Sequence, residues 1–191
     1  ETRVYGVWRG IAGASEHILA SFGGHIWDID TKNGAAKDKG SAPMGEVSFF
    51  GFGGKVYLLG GGEYKSWDGG TDTAFATVEG YVPLIQTATT PKGEGTLVET
   101  VNRLTGKRRV QFSPDGTATV FQLPEKAINE VSSVKSGGEP VTNCTMDLEN
   151  GTVTFPTAPA AGTNTVEIEY RKGDGARSEV TGMKYSELFN G

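Results

Sequence analysis

Short runs of alternating apolar and polar residues recur along the chain, and glycine-containing turns separate them. The clearest runs lie in the region 108–172, and their spacing predicts six strands with one apolar face each. Such strands are expected to pair as two sheets or as a partly closed barrel, and a small β-sandwich is the favoured arrangement. The expected strands cover about residues 108–112, 117–123, 131–135, 141–147, 152–155 and 165–171.

The region 1–80 contains one pattern twice: an apolar strand, a turn of consecutive glycines, and a second strand that ends in Trp-Asp. The two copies cover residues 18–28 and 56–68. The repeat from Trp27 to Trp67 has a period of about 40 residues, which is typical of β-propeller blades. Two copies are too few to close a propeller, because each blade packs against a neighbour on both sides. The pattern therefore predicts blade-like antiparallel hairpins of a partial propeller.

Turn-forming residues divide the chain into parts. Residues 31–45 are polar and are expected to form a loop, and Thr87–Gly95 is the best candidate for a linker. Residues 124–130 begin with a proline and are the one segment of the sandwich region that could form a helical turn. The predicted domains are a blade-like region at 1–90, a connecting linker or strand at 91–107, the sandwich at 108–172, and a truncated return strand at 173–191.

Composition agrees with an all-β protein. The chain has 29 Gly and 8 Pro, and no stretch keeps apolar residues at helical spacing for three turns. It has no apolar stretch of about 18 residues, so no membrane span is expected. The chain starts at Glu1 without a methionine and ends inside an apolar pattern, which favours a piece of a longer protein.

Charge and cysteine content narrow the possible partners. The net charge of -5 argues against a nucleic-acid surface, which needs clustered Lys and Arg. The basic run Lys107–Arg109 is expected to be a solvated strand end. A single cysteine excludes an intrachain disulfide and a multi-cysteine metal site. Strand alternation would place this residue, Cys144, on the face opposite Val141.

Candidate catalytic residues are few. Hairpin geometry could bring the two histidines, His17 and His25, face to face across a strand pair, but without an acidic cluster they make a poor zinc site. Ser15, His17 and Asp28 supply the residue types of a catalytic triad, yet no Gly-x-Ser-x-Gly motif exposes the serine. We therefore predict no catalytic, cofactor-binding or metal-binding residues and a protein that is not an enzyme.

Two segments resemble binding loops only in part. Residues 60–66 lack the glycine that a phosphate loop places directly before Lys-Ser, so a hairpin turn is favoured. Residues 28–34 begin like a calcium loop, but Lys32 takes a ligand position and Lys39 the closing position, which favours a turn. The remaining carboxylates are scattered and give no sign of paired glycosidase chemistry: Asp147, Glu149, Asp174 and Glu179.

Six aromatic residues lie at strand spacing beside glycine turns. Core or inter-blade packing is the favoured interpretation, and the alternative is a surface on which sugar rings stack. These residues are Trp8, Trp27, Trp67, Tyr57, Tyr64 and Tyr81.

Several segments together resemble structural proteins of tailed bacteriophages and prophages. The similarity is to large tail proteins that contain a β-propeller, such as the nozzle or tubular proteins of short-tailed phages. It extends through nearly the whole chain, including residues 189–191. The segments that carry it are Gly24–Asp28, Val56–Gly60, Trp67–Gly69, Glu79–Pro83, Val101–Arg108, 112–123 and 151–170.

The resemblance implies a non-enzymatic component of a virion tail or connector. Its partners would be other virion proteins and copies of itself, and its location would be the virion, with the host cytoplasm during assembly. No catalytic residues, cofactor or metal come with this resemblance. The alternative function is a carbohydrate- or surface-binding β-module of a secreted or surface protein.

Overall fold

The computed structural model describes residues 3–187, and these residues form an all-β protein with several antiparallel sheets. The chain divides into two compact units. Unit 1 consists of the described residues up to Glu79 and from Ser178 onward, and unit 2 is Gly80–Arg177. The all-β prediction is therefore confirmed.

Unit 1 contains two four-stranded sheets, and in each sheet consecutive strands pair antiparallel. The first sheet consists of β1 (Val4–Ala12), β2 (Ser15–Phe22), β3 (His25–Ile29) and β4 (Ala36–Ser41). The second consists of β5 (Ser48–Phe52), β6 (Lys55–Gly60), β7 (Glu63–Trp67) and β8 (Ala76–Thr77).

Glycine pairs close corresponding hairpins in the two sheets. Gly23 and Gly24 have φ of 61° and 81°, and Gly61 and Gly62 have φ of 59° and 85°. Tight hairpins with two central residues require positive φ, which glycine adopts without steric cost. The hairpin interpretation of residues 60–66 is confirmed.

The apolar core of unit 1 lies between its two sheets. Both sheets turn one face towards it, as the alternation of side chains along each strand requires. The buried members of this core are Ala12, Leu19, Ile26, Val47, Val56, Leu58, Trp67 and Phe75.

Part of the polar segment 31–45 is a strand, so the prediction of a continuous loop is wrong. Strand β4 pairs with β3, with Asp38 opposite Trp27 and Lys37 opposite Asp28. The segment lacks the apolar alternation of a strand because its inward residue is Lys39, whose side chain is only 1% exposed.

The sequence repeat holds for the first hairpins only. The end of β1 at Ala12 matches the end of β5 at Phe52, but β2 has 8 residues and β6 has 6. The next turns are therefore out of step with the repeat, and Trp27 and Trp67 occupy different positions in their sheets. Trp67 is 2% exposed in the core, whereas Trp27 is half-buried on the outer side of its sheet.

Unit 2 contains a six-stranded and a three-stranded sheet. The larger sheet has the order β10-β9-β11-β17-β13-β14, and only its β9–β11 pair is parallel. Its strands are β9 (Leu84–Thr89), β10 (Thr96–Leu97), β11 (Lys107–Phe112), β13 (Glu130–Ser136), β14 (Glu139–Pro140) and β17 (Val166–Arg171). The smaller sheet, of order β12-β16-β15, contains β12 (Val120–Gln122), β15 (Thr145–Asp147) and β16 (Thr152–Thr154).

One apolar core joins the two sheets of unit 2. Phe121 from the smaller sheet packs edge-on against Phe112 of the larger sheet, with ring centroids 5.4 Å apart. The buried members are Ile85, Val110, Phe112, Phe121, Leu123, Ile128, Val134, Val153, Phe155, Val166, Ile168 and Tyr170.

The structure places the unit boundary before residue 80, and not at residue 90. β9 pairs in parallel with β11, so the expected linker around residues 87–95 lies inside unit 2. The predicted linker at 91–107 likewise contains β10, which pairs with β9. Parallel pairing joins strands that are not neighbours in sequence, and local patterns do not reveal it.

Most strands predicted in the region 108–172 are present, although the segment 141–147 is a strand only at its end, in β15. The helical turn expected at 124–130 is absent. Ala127 has φ of 49°, and its amide donates to the carbonyl of Glu149 at 2.8 Å. Backbone bonding to another segment thus replaces the bonding of a helical turn.

The predicted return strand at 173–191 is wrong for its described part. Residues 173–187 contain the short helix α1 (Arg177–Thr181) and no strand. The Met183 amide donates to the Val180 carbonyl at 3.2 Å, a short-range bond that suits a helical turn. Residues 188–191, including the part of the phage resemblance at 189–191, lie outside the described residues.

Candidate functional site

Each histidine pairs with its own aspartate. His17 Nδ1 lies 2.9 Å from Asp28 Oδ2, and His25 Nδ1 lies 2.9 Å from Asp38 Oδ2. The two histidines do not face each other across a strand pair, because they lie near opposite ends of the β2–β3 hairpin. The facing arrangement considered from the sequence is therefore not present.

The triad of Ser15, His17 and Asp28 is not assembled. His17 Nε2 is buried and has no hydrogen-bond partner in the described structure, so it does not hold the Ser15 hydroxyl. A serine nucleophile needs that hydrogen bond to its histidine base. The His17 ring instead packs edge-on against Trp67, with centroids 4.8 Å apart.

A groove of about 720 Å³ lies beside His17. Its wall carries charges of both signs, including the exposed pair Arg9–Glu16 with N and O atoms 2.9 Å apart. Within residues 3–187, no group of three or more His, Cys, Asp and Glu side chains is placed to hold a metal ion.

The segment after β3 is a turn, as predicted in place of a calcium loop. Asp30 Oδ1 accepts a hydrogen bond from the Lys32 amide at 2.8 Å, and Asn33 Oδ1 accepts one from the Ala35 amide. Both side chains are therefore engaged in local turn bonds, which is a common role of Asp and Asn in turns.

Lys39 organises the loop between β7 and β8. Its Nζ donates to the carbonyls of Gly70 and Thr71 at 2.9 Å and of Thr73 at 3.3 Å, and it lies 4.4 Å from the centre of a Trp67 ring. Burial lowers the pKa of Lys39, and the nearby Lys37 adds to that shift. The buried ammonium thus has a structural role.

The basic run at 107–109 is not simply a solvated strand end. Arg108 is 7% exposed, and its Nη1 donates to both carboxylate oxygens of Glu125 at 2.7 Å. The Tyr170 hydroxyl donates to the same carboxylate at 2.8 Å. Burial raises the pKa of Tyr170, and the hydrogen bond to Glu125 raises it further. Alternation along β11 turns Arg108 inward, where a shared carboxylate compensates its charge.

The scattered carboxylates have local roles. Asp147 Oδ2 accepts a hydrogen bond from the Asn150 amide side chain at 2.8 Å, and this bond lowers the pKa of Asp147. Asp174 pairs with Arg171 at 2.9 Å. Glu149 lies in the same turn as Asn150, and Glu179 lies in α1.

Cys144 and Val141 contact the same core of unit 2, so their predicted placement on opposite faces is wrong. Residues 141–144 are not a strand, and strand alternation does not apply to them. Burial raises the pKa of the Cys144 thiol.

The six aromatic residues do not form one platform. Trp67 lies in the core of unit 1, and Trp8 packs against that core. Trp27 lies on the outer face of one sheet of unit 1, and Tyr57 and Tyr64 lie on the outer face of the other. In unit 2, Tyr81 is 61% exposed and donates to Glu99.

The outer face of the β1–β4 sheet, which we call the front face, exposes large apolar side chains. Val7 and Ile11 are 66% and 69% exposed. The Phe22 and Trp27 rings stack with centroids 5.6 Å apart. By strand register and alternation, its members include Val7, Arg9, Ile11, Glu16, Ile18, Ala20, Phe22, His25, Trp27, Ile29, Ala36 and Asp38.

The outer face of the β5–β8 sheet, which we call the rear face, carries an aromatic cluster. The Tyr57 ring lies parallel to Phe50 with centroids 5.1 Å apart, and 5.9 Å from Tyr64. Phe52 is 65% exposed at the end of this face. Its members include Ser48, Phe50, Phe52, Lys55, Tyr57, Leu59, Tyr64 and Ser66.

The front and rear faces were not identified from the sequence. The available signal is that both the odd and the even positions of β1 and β5 carry large apolar residues, whereas a strand with one solvated face alternates apolar with polar.

The described fold defines an all-β protein of several antiparallel sheets. No family model, curated protein or solved structure matches this chain. Among the described residues, no helix has the length and apolar character needed to cross a membrane.

Proposed function

We propose that this protein is a non-enzymatic structural component of a phage tail or connector that acts through protein–protein assembly. The observation that carries the proposal is that unit 1 exposes large apolar side chains on both of its outer sheet faces. Val7, Ile11 and Phe52 are each at least 65% exposed. Contiguous exposed apolar patches are typical of interaction surfaces.

We further propose that the two sheets of unit 1 are blades of a β-propeller and that unit 2 is a β-sandwich. Four-stranded antiparallel sheets with neighbouring strands in chain order are the building unit of propellers. In unit 1 the first strands of the two sheets, β1 and β5, contact each other. For unit 2, the support is one apolar core shared by two sheets.

The proposed partners are other virion proteins and copies of this chain, in the virion tail and in the host cytoplasm during assembly. The support is the resemblance of segments such as Glu79–Pro83 and Val101–Arg108 to phage tail proteins. The net charge of -5 also disfavours a nucleic-acid partner.

Gene context and particle composition test this proposal. We expect genes for a portal, a capsid protein or a terminase beside the gene of this protein. Mass spectrometry of density-purified particles from an induced or infected host should detect its peptides at a constant ratio to capsid protein. A neighbourhood without virion genes, together with particles that lack the protein, would contradict the proposal.

A carbohydrate-binding module is the second candidate. The observation in its favour is the parallel cluster of Phe50, Tyr57 and Tyr64 on the rear face, since flat aromatic groups provide large rigid contact areas. A glycan array should then show binding that Tyr57→Ala abolishes and that Tyr81→Ala, in unit 2, leaves unchanged. An array without binding excludes this candidate for the glycans it carries.

A further inference from the structure

The two sheets of unit 1 correspond along their first hairpins when the end of β1 is aligned with the end of β5. This alignment matches Ala12 with Phe52. Ala12 lies on the inner face of the first sheet, and Phe52 lies on the rear face. Ile11 on the front face likewise matches Gly51 on the inner face of the second sheet. The inner face of the first sheet therefore corresponds to the rear face, and the front face corresponds to the inner face of the second sheet.

Within the chain, the inner face of the first sheet already packs on the inner face of the second. The Trp8 ring of the first sheet fills the space beside Gly51 of the second, where an added Cβ would lie 3.3 Å from the ring. At the strand ends, the Gly13 amide donates to the Gly54 carbonyl at 2.8 Å. Packing one copy of unit 1 onto another would repeat this interface with the two faces that remain exposed.

The exposed faces have the size complementarity that the repeated interface needs. The large Trp8 packs against the small Gly51 inside the chain. Under the same alignment, the corresponding pair is the small Ser48 on the rear face and the large Ile11 on the front face. A repeated interface would therefore again bring one large and one small residue together, as close packing requires. The Ser48 hydroxyl lies 2.9 Å from the Ser186 hydroxyl, so a partner would meet this edge beside the C-terminal segment.

The charged and titratable groups of the front face are paired with each other. Arg9 and Glu16 form an ion pair with N and O atoms 2.9 Å apart, and His25 Nδ1 lies 2.9 Å from Asp38 Oδ2, so each carboxylate has a partner on this face. The rear face consists of aromatic, aliphatic and serine side chains along β5, β6 and β7, apart from Lys55, which lies opposite Phe52 at the strand end.

We propose that the rear face of one copy binds the front face of a second copy of this chain, head to tail. This inference rests on the proposed assembly function and specifies its partner and polarity. The contact is heterologous, so association continues until a ring closes. Because propellers have about four to eight blades, closure by two-sheet units would take about two to four copies.

Single-cysteine variants test the polarity. In a Cys144→Ser background, Ile11→Cys labels the front face and Phe52→Cys labels the rear face, at positions 69% and 65% exposed. With a short bismaleimide, we expect cross-linked dimers only when the two variants are mixed. Leu97→Cys, 80% exposed in unit 2, is the matched control and should cross-link with neither.

Charge-blocked variants test the contact without labels. Val7→Glu blocks the front face and Phe52→Glu the rear face, and both positions are exposed enough for the fold to tolerate the change. By light scattering, each variant alone should be monomeric, and an equimolar mixture should double the mass because each partner keeps one intact face. A far-UV circular dichroism spectrum equal to that of the unmodified protein verifies folding.

Three results would overturn the head-to-tail contact: cross-linking of either variant by itself, no cross-linking in the mixture, or blocked variants that assemble as the unmodified protein does. Such a result together with virion genes around the gene would leave the proposed function standing. Head-to-tail cross-links without virion genes or virion incorporation would support the contact and contradict the phage function.

Discussion

At the scale of single residues, buried charged groups anchor loops in this protein. Lys39 bonds three carbonyls of the β7–β8 loop, although Lys37 and Asp38 just before it are polar and exposed. A basic residue in a polar segment is ordinarily solvated. Its burial depends on carbonyls that lie in a distant part of the chain, so the local pattern could not predict it.

Replacing Lys39 tests its anchoring role. Lys39→Met leaves three carbonyls without their donor and should lower the unfolding free energy of unit 1 by about 1–3 kcal/mol. Lys37→Met is the matched control, because its ion pair with Asp72 is exposed and worth about 0–1 kcal/mol. Urea unfolding followed by tryptophan fluorescence measures both variants. Equal effects would argue against the anchoring role.

The buried Arg108 gives a second prediction. Arg108→Met leaves the Glu125 carboxylate without its ionic partner and should destabilise unit 2 by about 3–5 kcal/mol. Adding Glu125→Leu should recover part of that loss, because no uncompensated charge remains. Hydrogen exchange of peptides from unit 2 measures the effect. A double variant less stable than Arg108→Met would contradict this account.

Asp68 makes the stability of unit 1 depend on pH. Hydrogen bonds from the Thr73 hydroxyl and the Gly70 amide lower the pKa of Asp68 below its ordinary 3.8. The stabilisation is therefore present above that value and is lost as the pH falls through the lower folded-state pKa.

Asp68→Asn checks this dependence. The wild type should be more stable than the variant at neutral pH, and the difference should shrink when both are unfolded in urea at about pH 3. Tryptophan fluorescence again reports the transition. A difference that does not change with pH would assign the effect to geometry and not to charge.

At the scale of elements, glycine turns set the hairpins and local alternation sets most strands. The apolar and polar residues of β11, β13 and β17 alternate locally along the chain, and for this reason the sequence predicts these strands. β4 and β9 escape prediction for different physical reasons. β4 is polar because its inward residue is a lysine, and β9 is paired in parallel with a strand beyond an intervening segment.

Substitutions at Gly62 isolate the contribution of backbone conformation to the stability of unit 1. An added Cβ at Gly62 meets no atom within 4 Å, but φ is +85°. Gly62→Ala should therefore destabilise unit 1 by about 1–2 kcal/mol through strain alone. Gly62→Asn should cost less, because Asn tolerates positive φ. Urea unfolding compares the two, and an equal or larger loss for Asn would contradict the explanation.

At the scale of the whole molecule, the two units differ in their continuity along the sequence, because unit 1 consists of two separate segments. Unit 2 is continuous, and local patterns predict much of it. The front and rear faces of unit 1 could not be predicted as surfaces, because they are defined by strand register and by which sheet face the core covers. The aromatic residues themselves were identifiable, but their division between core and surface was not.

Continuity predicts that residues 80–177 fold by themselves. This segment contains every buried member of its own core. We expect the isolated segment to give a β-type circular dichroism spectrum and a cooperative urea transition. The variant Arg108→Met within this segment is the control and should shift the midpoint to lower urea. A segment without a cooperative transition would contradict the prediction.

The hydrogen bond from the Gly62 amide to the Thr181 carbonyl, 3.2 Å long, joins two parts of unit 1 that are synthesised at different times. Thr181 is made about 120 residues after Gly62, a delay of roughly 6 to 24 s at about 5–20 residues per second. When β8 is complete at Thr77, the segment that bonds to the Gly62 turn has not yet been synthesised. Unit 2 lies in the sequence between the two parts of unit 1. The synthesis of unit 2 therefore delays the completion of unit 1.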